Sequence, residues 1–409
     1  MGCGAISVRY SLLDYMVEPS RGARFVVKEA TATSKCDATG WRRCANWCGR
    51  YGCAAESVPD TTCRTCLSEE LIEGTLQSDN GSAYPVVRGV PRFLEDCYLA
   101  LVPGMTEDWI RRYRGDLRPA VTGFDRVQLQ TAKDFGEEWR YFSQNLAEYE
   151  EWAQAYFDLL ESDASSGVVL DAGCGMGRWA YTVGRRAGTL LAVDLSSSVD
   201  QAAQVLSGLP NAHVVQADLH QLPFPPATFD LIYSLGVLHH LPDPLRGLDR
   251  LVWHLKDGGR FLAYFYYALD NRQRYFHVLL KGVTLLRLVI SRLPRPAARW
   301  LSYVIAVTVY WPLIQCGNVL AALGFKAAAR QVPLYEFYTG KSFRSLFNDS
   351  VDRFATRVEF RFTREQIRQM FAKVGLATLR FSDTTPFWKV LGVKAGTSVM
   401  PRNAGKVGS

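Results

Sequence analysis

Three glycines, Gly173, Gly175 and Gly177, stand in the run Val168-Val169-Leu170-Asp171-Ala172-Gly173-Cys174-Gly175-Met176-Gly177, between an apolar segment and the helix-forming Arg178-Trp179-Ala180. Glycine at such places lets the backbone turn tightly and press against a ligand where a β-carbon would clash. Two acids follow, Asp194 ending the apolar stretch Leu190 to Asp194, and Asp218 in Gln216-Ala217-Asp218-Leu219. A strand, a glycine turn and an acid at the end of the next strand are what an adenosine-bearing ligand requires, the acid taking the ribose hydroxyls. Gly175-x-Gly177-x-x-Ala180 also satisfies the dinucleotide fingerprint, so hydride transfer from a nicotinamide stands beside other adenosine chemistry at this point.

The placement of the acids favours S-adenosylmethionine. Asp171 precedes the glycines, where a carboxylate answers a cationic amino group and repels a pyrophosphate. Asp218 is placed to accept from an adenine amine. Past the next apolar stretch, Leu238-His239-His240-Leu241 supplies two candidate general bases, His239 and His240, each of which can equally be a loop residue that shapes the pocket. Phe135 and Trp139, in Asp134-Phe135-Gly136-Glu137-Glu138-Trp139, are candidates for closing over a sulfonium by cation–π attraction, with simple packing the other reading.

On these residues the stretch from about 165 to 268 resembles the class I S-adenosylmethionine-dependent methyltransferases, of the broad type that includes the ubiquinone-biosynthesis C-methyltransferases. The resemblance implies an α/β fold with a doubly wound, Rossmann-like sheet of seven strands. It also implies cofactor contacts from Asp171, Gly173, Cys174, Gly175, Gly177, Asp194, Leu195, Asp218, Leu219 and Ser234, with Phe135 and Trp139 nearby. It says nothing of the acceptor, which is expected to be a small or lipid-like molecule methylated on oxygen, nitrogen or carbon. An NAD-dependent oxidoreductase and a non-catalytic cofactor-binding scaffold are the alternatives.

A second resemblance is to methyltransferases with an N-terminal zinc-ribbon-like module. Cys63-x-x-Cys66, Tyr84-Pro85-Val86 and Gly89-Val90-Pro91 carry it, but the second cysteine pair is replaced by Ser78 to Ser82. Zinc in a closed structural site needs four ligands, so Cys63 and Cys66 supply half a site. The expectation is a degenerate metal-free module, or one in which Cys36, Cys44, Cys48 or Cys53 completes the set.

The elements that must position these residues follow from periodicity. Residues 1–60 show neither helical nor strand period and are expected to be a disordered or irregular extension. Residues 61–100 read as a small β-rich module and 101–160 as an aromatic helical segment. Residues 161–269 alternate strand and helix, with strands at 167–171, 190–194, 213–218, 229–234 and 259–266. A capping box, Thr363 with Gln366, opens a helix ending at Gly375, and strands at 377–382 and 387–393 close the core over 363–395, with 396–409 as a tail.

Between the fifth strand and that helix lies an insertion, 270–362. Its residues 271–335 hold nine Lys or Arg and no Asp or Glu, which carries the whole excess of the chain's formal charge of +7. Arg274, Lys281 and Arg292 fall on one helical stripe. Leu301 to Phe325 is almost wholly apolar but broken by Pro312, Gln315 and Asn318, so it reads as a lid or interfacial element rather than a span. Such a segment suits peripheral contact with a membrane, or a hydrophobic lid. Arg344 and Arg353, in the polar stretch that follows, are candidate contacts to an anionic acceptor group. Nucleic acid is not expected, because the cations lie among aliphatic residues. The absence of a signal-peptide pattern argues for the cytoplasm, with attachment to the inner membrane face as an alternative.

Overall fold

The computed structural model describes residues 8–35, 44–114, 122–142, 146–161, 166–270, 273–384, 386 and 388–396. Cys36, Asn271 and Phe387 lie outside them.

Fourteen strands are formed among these residues. The first seven are β1 (Val8–Arg9), β2 (Phe25–Lys35), β3 (Trp47–Cys48), β4 (Cys53–Ala54), β5 (Glu69–Ser78), β6 (Ala83–Val87) and β7 (Val90–Phe93). The core adds β8 (Val168–Ala172), β9 (Thr189–Asp194), β10 (Ala212–Ala217), β11 (Phe229–Leu235), β12 (Leu255–Tyr264), β13 (Leu376–Phe381) and β14 (Lys389–Lys394). The core order is β10-β9-β8-β11-β12-β14-β13, parallel except for β14, which runs antiparallel to both of its neighbours. This is the expected seven-stranded doubly wound sheet. Its strands are apolar on both faces because helices cover both: Leu170, Ala172, Leu191 and Val193 lie in one buried cluster, Val169, Leu190 and Ala192 in the other.

The N-terminal part departs from expectation. Residues 8–35 are not an irregular extension: β1 and β2 both pair antiparallel with β5. The eleven-residue β2 contains three register shifts, between Val27 and Glu29, Ala30 and Ala32, and Ala32 and Thr33. Each bulge breaks the alternation of inward and outward side chains by which a strand is read from sequence. The β module therefore begins near residue 8 rather than 61, and β7 pairs parallel with β10, so one sheet of twelve strands runs through both parts.

Helices α1 (Asp60–Leu67) and α2 (Glu107–Tyr113) flank the module; α3 (Gly123–Phe142) and α4 (Leu146–Tyr156) form the aromatic segment. The core helices are α5 (Arg178–Gly184), α6 (Val199–Leu206) and α7 (Pro244–His254). The insertion is helical: α8 (Arg274–Ile290), α9 (Arg295–Ile305), α10 (Trp311–Ala322), the short α11 (Lys326–Ala329) and α12 (Tyr335–Tyr338), and α13 (Phe343–Ala355). A π-helical turn, Ala306–Tyr310, joins α9 to α10 into one rod. The capping box is present at Thr363 and Gln366, opening α14 (Arg364–Lys373).

The insertion has its own core, in which Ile290, Ala298, Tyr310 and Ile314 pack on Leu346, Val351 and Phe354 of α13. It is tied to α3 by Arg295, whose Nε donates to the buried Asp134 at 2.8 Å. Arg287 on α8 donates to the carbonyls of Thr356 and Arg357 at 3.1 and 3.3 Å.

Candidate active site

A cavity of about 170 Å³ opens outside the carboxyl ends of β8, β9, β10 and β11. Open parallel sheets place their ligands there because strand ends and helix N-termini converge. One half of its wall is the glycine loop. Gly173, Gly175 and Gly177 have φ of 89°, 53° and 86°, in the left-handed region that disfavours every other residue. A β-carbon on Gly173 would stand 2.4 Å from the Val237 side chain, and one on Gly175 would stand 3.0 Å from the Trp139 indole nitrogen. Gly177 does not reach the cavity and instead provides the left-handed entry to α5.

Asp194, Leu195, Asp218 and Leu219 line the next part of the wall. Asp194 is held by the loop it faces: its Oδ2 accepts from Gly175 N–H at 2.9 Å, and its Oδ1 accepts from Ser196 N–H and Oγ–H at 2.8 and 2.6 Å. Asp218 Oδ1 accepts from His220 N–H at 2.9 Å and meets His220 Nδ1 at 2.8 Å. Behind this wall stands a residue that sequence reasoning missed. Arg92 of β7 is fully buried and donates to Gln216 Oε1 at 2.9 Å and to Asp200 Oδ1 at 2.6 Å, while Gln216 Nε2 donates to the Leu195 carbonyl at 2.8 Å. No motif marks it, because its side-chain partners lie more than a hundred residues away.

Two expected contacts, Ser234 and Asp171, lie behind the surface, and a third, Cys174, only reaches it. Ser234 is fully buried and donates to the Ala172 carbonyl at 2.9 Å. Cys174 reaches the wall, but its thiol is buried and held well above its usual range. Asp171 lies beneath the loop on the sheet face of Val169, with one carboxylate oxygen unpartnered. Burial pushes its pKa up to about 8, only partly offset by neighbouring Tyr233 and Arg178.

The other half of the cavity is aromatic. Phe135 and Trp139 of α3 join Tyr149, Trp152 and Tyr156 of α4, Tyr264 and Tyr266 at the end of β12, and Phe337 and Tyr338 from the insertion. Trp139 already has a cation on its face, the Arg178 guanidinium at 4.6 Å, and Phe135 packs edge-on against His240 at 5.1 Å. Among these rings stand Glu138, Asp349 and Asp352. Burial raises the pKa values of Glu138 and Asp352; repulsion from Asp352 raises Glu138 further, while for Asp352 the pull of His240 opposes repulsion from Asp349 and Glu359.

The two histidines separate. His240 lines the cavity; its Nδ1 lies 2.7 Å from the Val358 carbonyl, so Nδ1 carries the proton and Nε2, without a hydrogen-bond partner, keeps its lone pair. Asp352 Oδ1 is 3.7 Å from that Nε2. His239 is not on the wall: it is fully buried, stacked on Tyr266 at 3.9 Å, and burial holds its pKa well below the usual range. Of the two expected acceptor contacts, Arg344 lines neither this cavity nor the next, and donates to the Tyr141 carbonyl at 3.0 Å. Arg353 faces a second cavity, 3.8 Å from Asp349.

Cys63 and Cys66 are buried on α1, and Cys48 and Cys53 pack near Cys63 around Val58. Among the described residues no group of three or more His, Cys, Asp or Glu is arranged to hold a metal ion. Burial pushes the Cys66 and Cys44 thiols up to about 12. The zinc expectation is not supported, and the turn at Ser78 to Ser82 that replaced the second pair simply closes the β5–β6 hairpin.

Residues 170–263 match the sequence family of the methyltransferase domain. The chain is 31% identical over 150 residues to the ubiquinone biosynthesis O-methyltransferase of Xylella fastidiosa (strain 9a5c), an alignment covering 34% of this chain and 60% of that protein. It therefore spans less than two thirds of that relative's length. Among solved structures it is similar to an S-adenosylmethionine-dependent methyltransferase from Mesorhizobium loti, at 27% identity over 29% of this chain and 54% of that one, TM-score 0.26. It is also similar to Haemonchus contortus phosphoethanolamine N-methyltransferase 2, at 14% identity over 65% and 48%, TM-score 0.37. The central sheet with its glycine loop is thus a class I S-adenosylmethionine-dependent methyltransferase domain.

Proposed function

We propose that the chain transfers a methyl group from S-adenosylmethionine to an oxygen or nitrogen of a small or lipid-like acceptor seated in the aromatic half of the cavity. The observation that carries this reading is that the glycine cradle and His240 line one shared cavity.

The residues present fit the cofactor. Gly173 and Gly175 leave the room that a β-carbon would fill, Asp194 offers remaining lone pairs to ribose hydroxyls, and Asp218 does the same for an adenine amine. Asp171 lies buried beneath the loop, protonated through its raised pKa, and a cationic methionine end bound above it would favour the ionised carboxylate. Bound there, S-adenosylmethionine would supply a methyl carbon open to in-line attack by an acceptor lone pair, with S-adenosylhomocysteine as the leaving group.

The protein's task is then to orient the acceptor, exclude water and take a proton. The Val358 carbonyl fixes the His240 tautomer, so Nε2 removes the proton from an acceptor hydroxyl or amine. Asp352 stabilises the imidazolium that results. Phe135 and Trp139 wall the sulfonium side, and Tyr149, Tyr264 and Tyr266 keep the chamber dry.

Incubation of the protein with labelled S-adenosylmethionine and a metabolite extract is expected to give S-adenosylhomocysteine and a product heavier by one CH₂. In His240→Gln the rate is expected to fall about 10²- to 10⁴-fold, the usual worth of a general base, with cofactor affinity unchanged. A wild-type rate in that variant would remove His240 from the mechanism.

A further inference from the structure

The helical insertion presents a broad face that no other part of the described chain covers. Val278 and Leu285 of α8 are 72% and 67% exposed, and Trp300 and Phe325 are 62% and 61% exposed. At 100° per residue, Val278, Lys281, Leu285, Leu288, Val289 and Arg292 fall within about 100° of arc, while the buried Arg287 and Ile290 point the other way. Along the α9–α10 rod Trp300, Tyr303, Val307 and Trp311 repeat at helical spacing and are all exposed. Isolated exposed apolar residues are ordinary, but two successive helices that both carry exposed apolar stripes mark an interaction surface.

We propose that this face docks on an anionic lipid bilayer. Charge identifies the partner: residues 271–335 hold nine Lys or Arg and no Asp or Glu. Arg287 and Arg295 are spent on internal contacts, whereas Lys281, Arg292, Lys326 and Arg330 are exposed. Apolar side chains entering the acyl boundary, cations at their rim and tryptophans between them match the layers of a bilayer with acidic headgroups. A nucleic acid would meet the cations but leave the leucines and valines in water.

The rod Arg295–Ala322 is long and apolar enough, by length and composition, to cross a membrane. It is nevertheless fastened along one side, with Ala298, Ala306, Tyr310 and Ile314 packed in the insertion core and Ser350 Oγ donating to the Ser302 carbonyl at 2.9 Å. A helix anchored in this way lies on the surface.

The docking gives the second cavity a use. It measures about 180 Å³, is walled by Leu279, Leu280 and Val283 of α8, and shares Tyr264, Tyr266, Phe337, Tyr338 and Asp349 with the active-site cavity. An apolar tail lifted from the bilayer would pass under α8 toward His240. That use rests on the methyl-transfer reading; the docking does not.

Flotation of the full chain with phosphatidylglycerol–phosphatidylcholine vesicles, and with phosphatidylcholine alone, tests the proposal. The protein is expected to float with the anionic vesicles at low salt, less in high salt, and at least tenfold less with the neutral ones. The Leu285→Glu/Val289→Glu double variant, altered only on the exposed face, should lose flotation by at least tenfold while binding S-adenosylhomocysteine as the wild type does. Three results would each overturn it: wild-type protein that stays unbound with anionic vesicles, a double variant that floats equally well, or vesicle-bound protein that resists alkaline extraction as a spanning helix does. Cofactor binding is read separately, so failure of the docking and failure of the methyltransferase reading are distinguishable.

Discussion

Replacing Asp194 by Asn tests the cofactor cradle at the point where loop and ligand meet. The carboxylate accepts from Gly175 N–H through one oxygen and from Ser196 through the other, and it still faces the cavity. An amide keeps one acceptor and turns the other into a donor, so either Gly175 N–H or Ser196 faces an NH₂ group, and a ribose hydroxyl loses an ionised partner. A hydrogen bond to a charged group contributes about 1.5–3 kcal/mol. At 1.4 kcal/mol per tenfold, affinity for S-adenosylhomocysteine should fall roughly 10- to 150-fold. The unmatched backbone N–H should also cost about 1–3 kcal/mol of stability. Calorimetric titration well below the variant's unfolding midpoint separates the two effects. A dissociation constant within threefold of wild type, in a folded variant, would refute the ribose assignment.

Two further substitutions follow from buried charges. Asp171, with its folded pKa near 8, keeps a proton that the unfolded chain gives up above its usual carboxylate range. The cost is absent below pH about 4, grows as pH rises and levels off above about 8. Asp171→Asn should therefore gain up to a few kcal/mol on the ligand-free wild type across that window; melting curves that stay parallel from pH 5 to 8 would contradict the burial argument. Arg92→Met leaves Asp200 and Gln216 without their buried partner and should cost about 3–5 kcal/mol in urea unfolding. It should also weaken S-adenosylhomocysteine binding, since Gln216 holds the Leu195 carbonyl; a loss under about 1 kcal/mol would mean that the clamp is not structural.

The core was legible in the sequence because its physics is local. A short apolar strand, a turn that needs left-handed backbone and an acid at the end of the next strand all lie between residues 168 and 194, and the parallel sheet makes each stretch apolar on both faces. Residues 168–218 accordingly place Gly173, Gly175, Asp194 and Asp218 around one cavity. The N-terminal sheet was not legible, since the bulges of β2 erase the alternation and its pairing with β5 spans some forty residues.

The amino-acid sequence by itself determined the doubly wound core, the cofactor class, the two-histidine segment and the charge imbalance of the insertion, all of which depend on composition and short spacing. Only the tertiary structure decided which histidine faces the cavity, since His239 and His240 are neighbours in the chain and their roles differ by which carbonyl or ring each one meets. Likewise it took Arg344 away from the site, brought in Arg92, Glu138 and Asp352, and set a second cavity beside the first with five lining residues in common. These relations rest on contacts between segments far apart in the chain, and such contacts leave no pattern in a sequence read residue by residue.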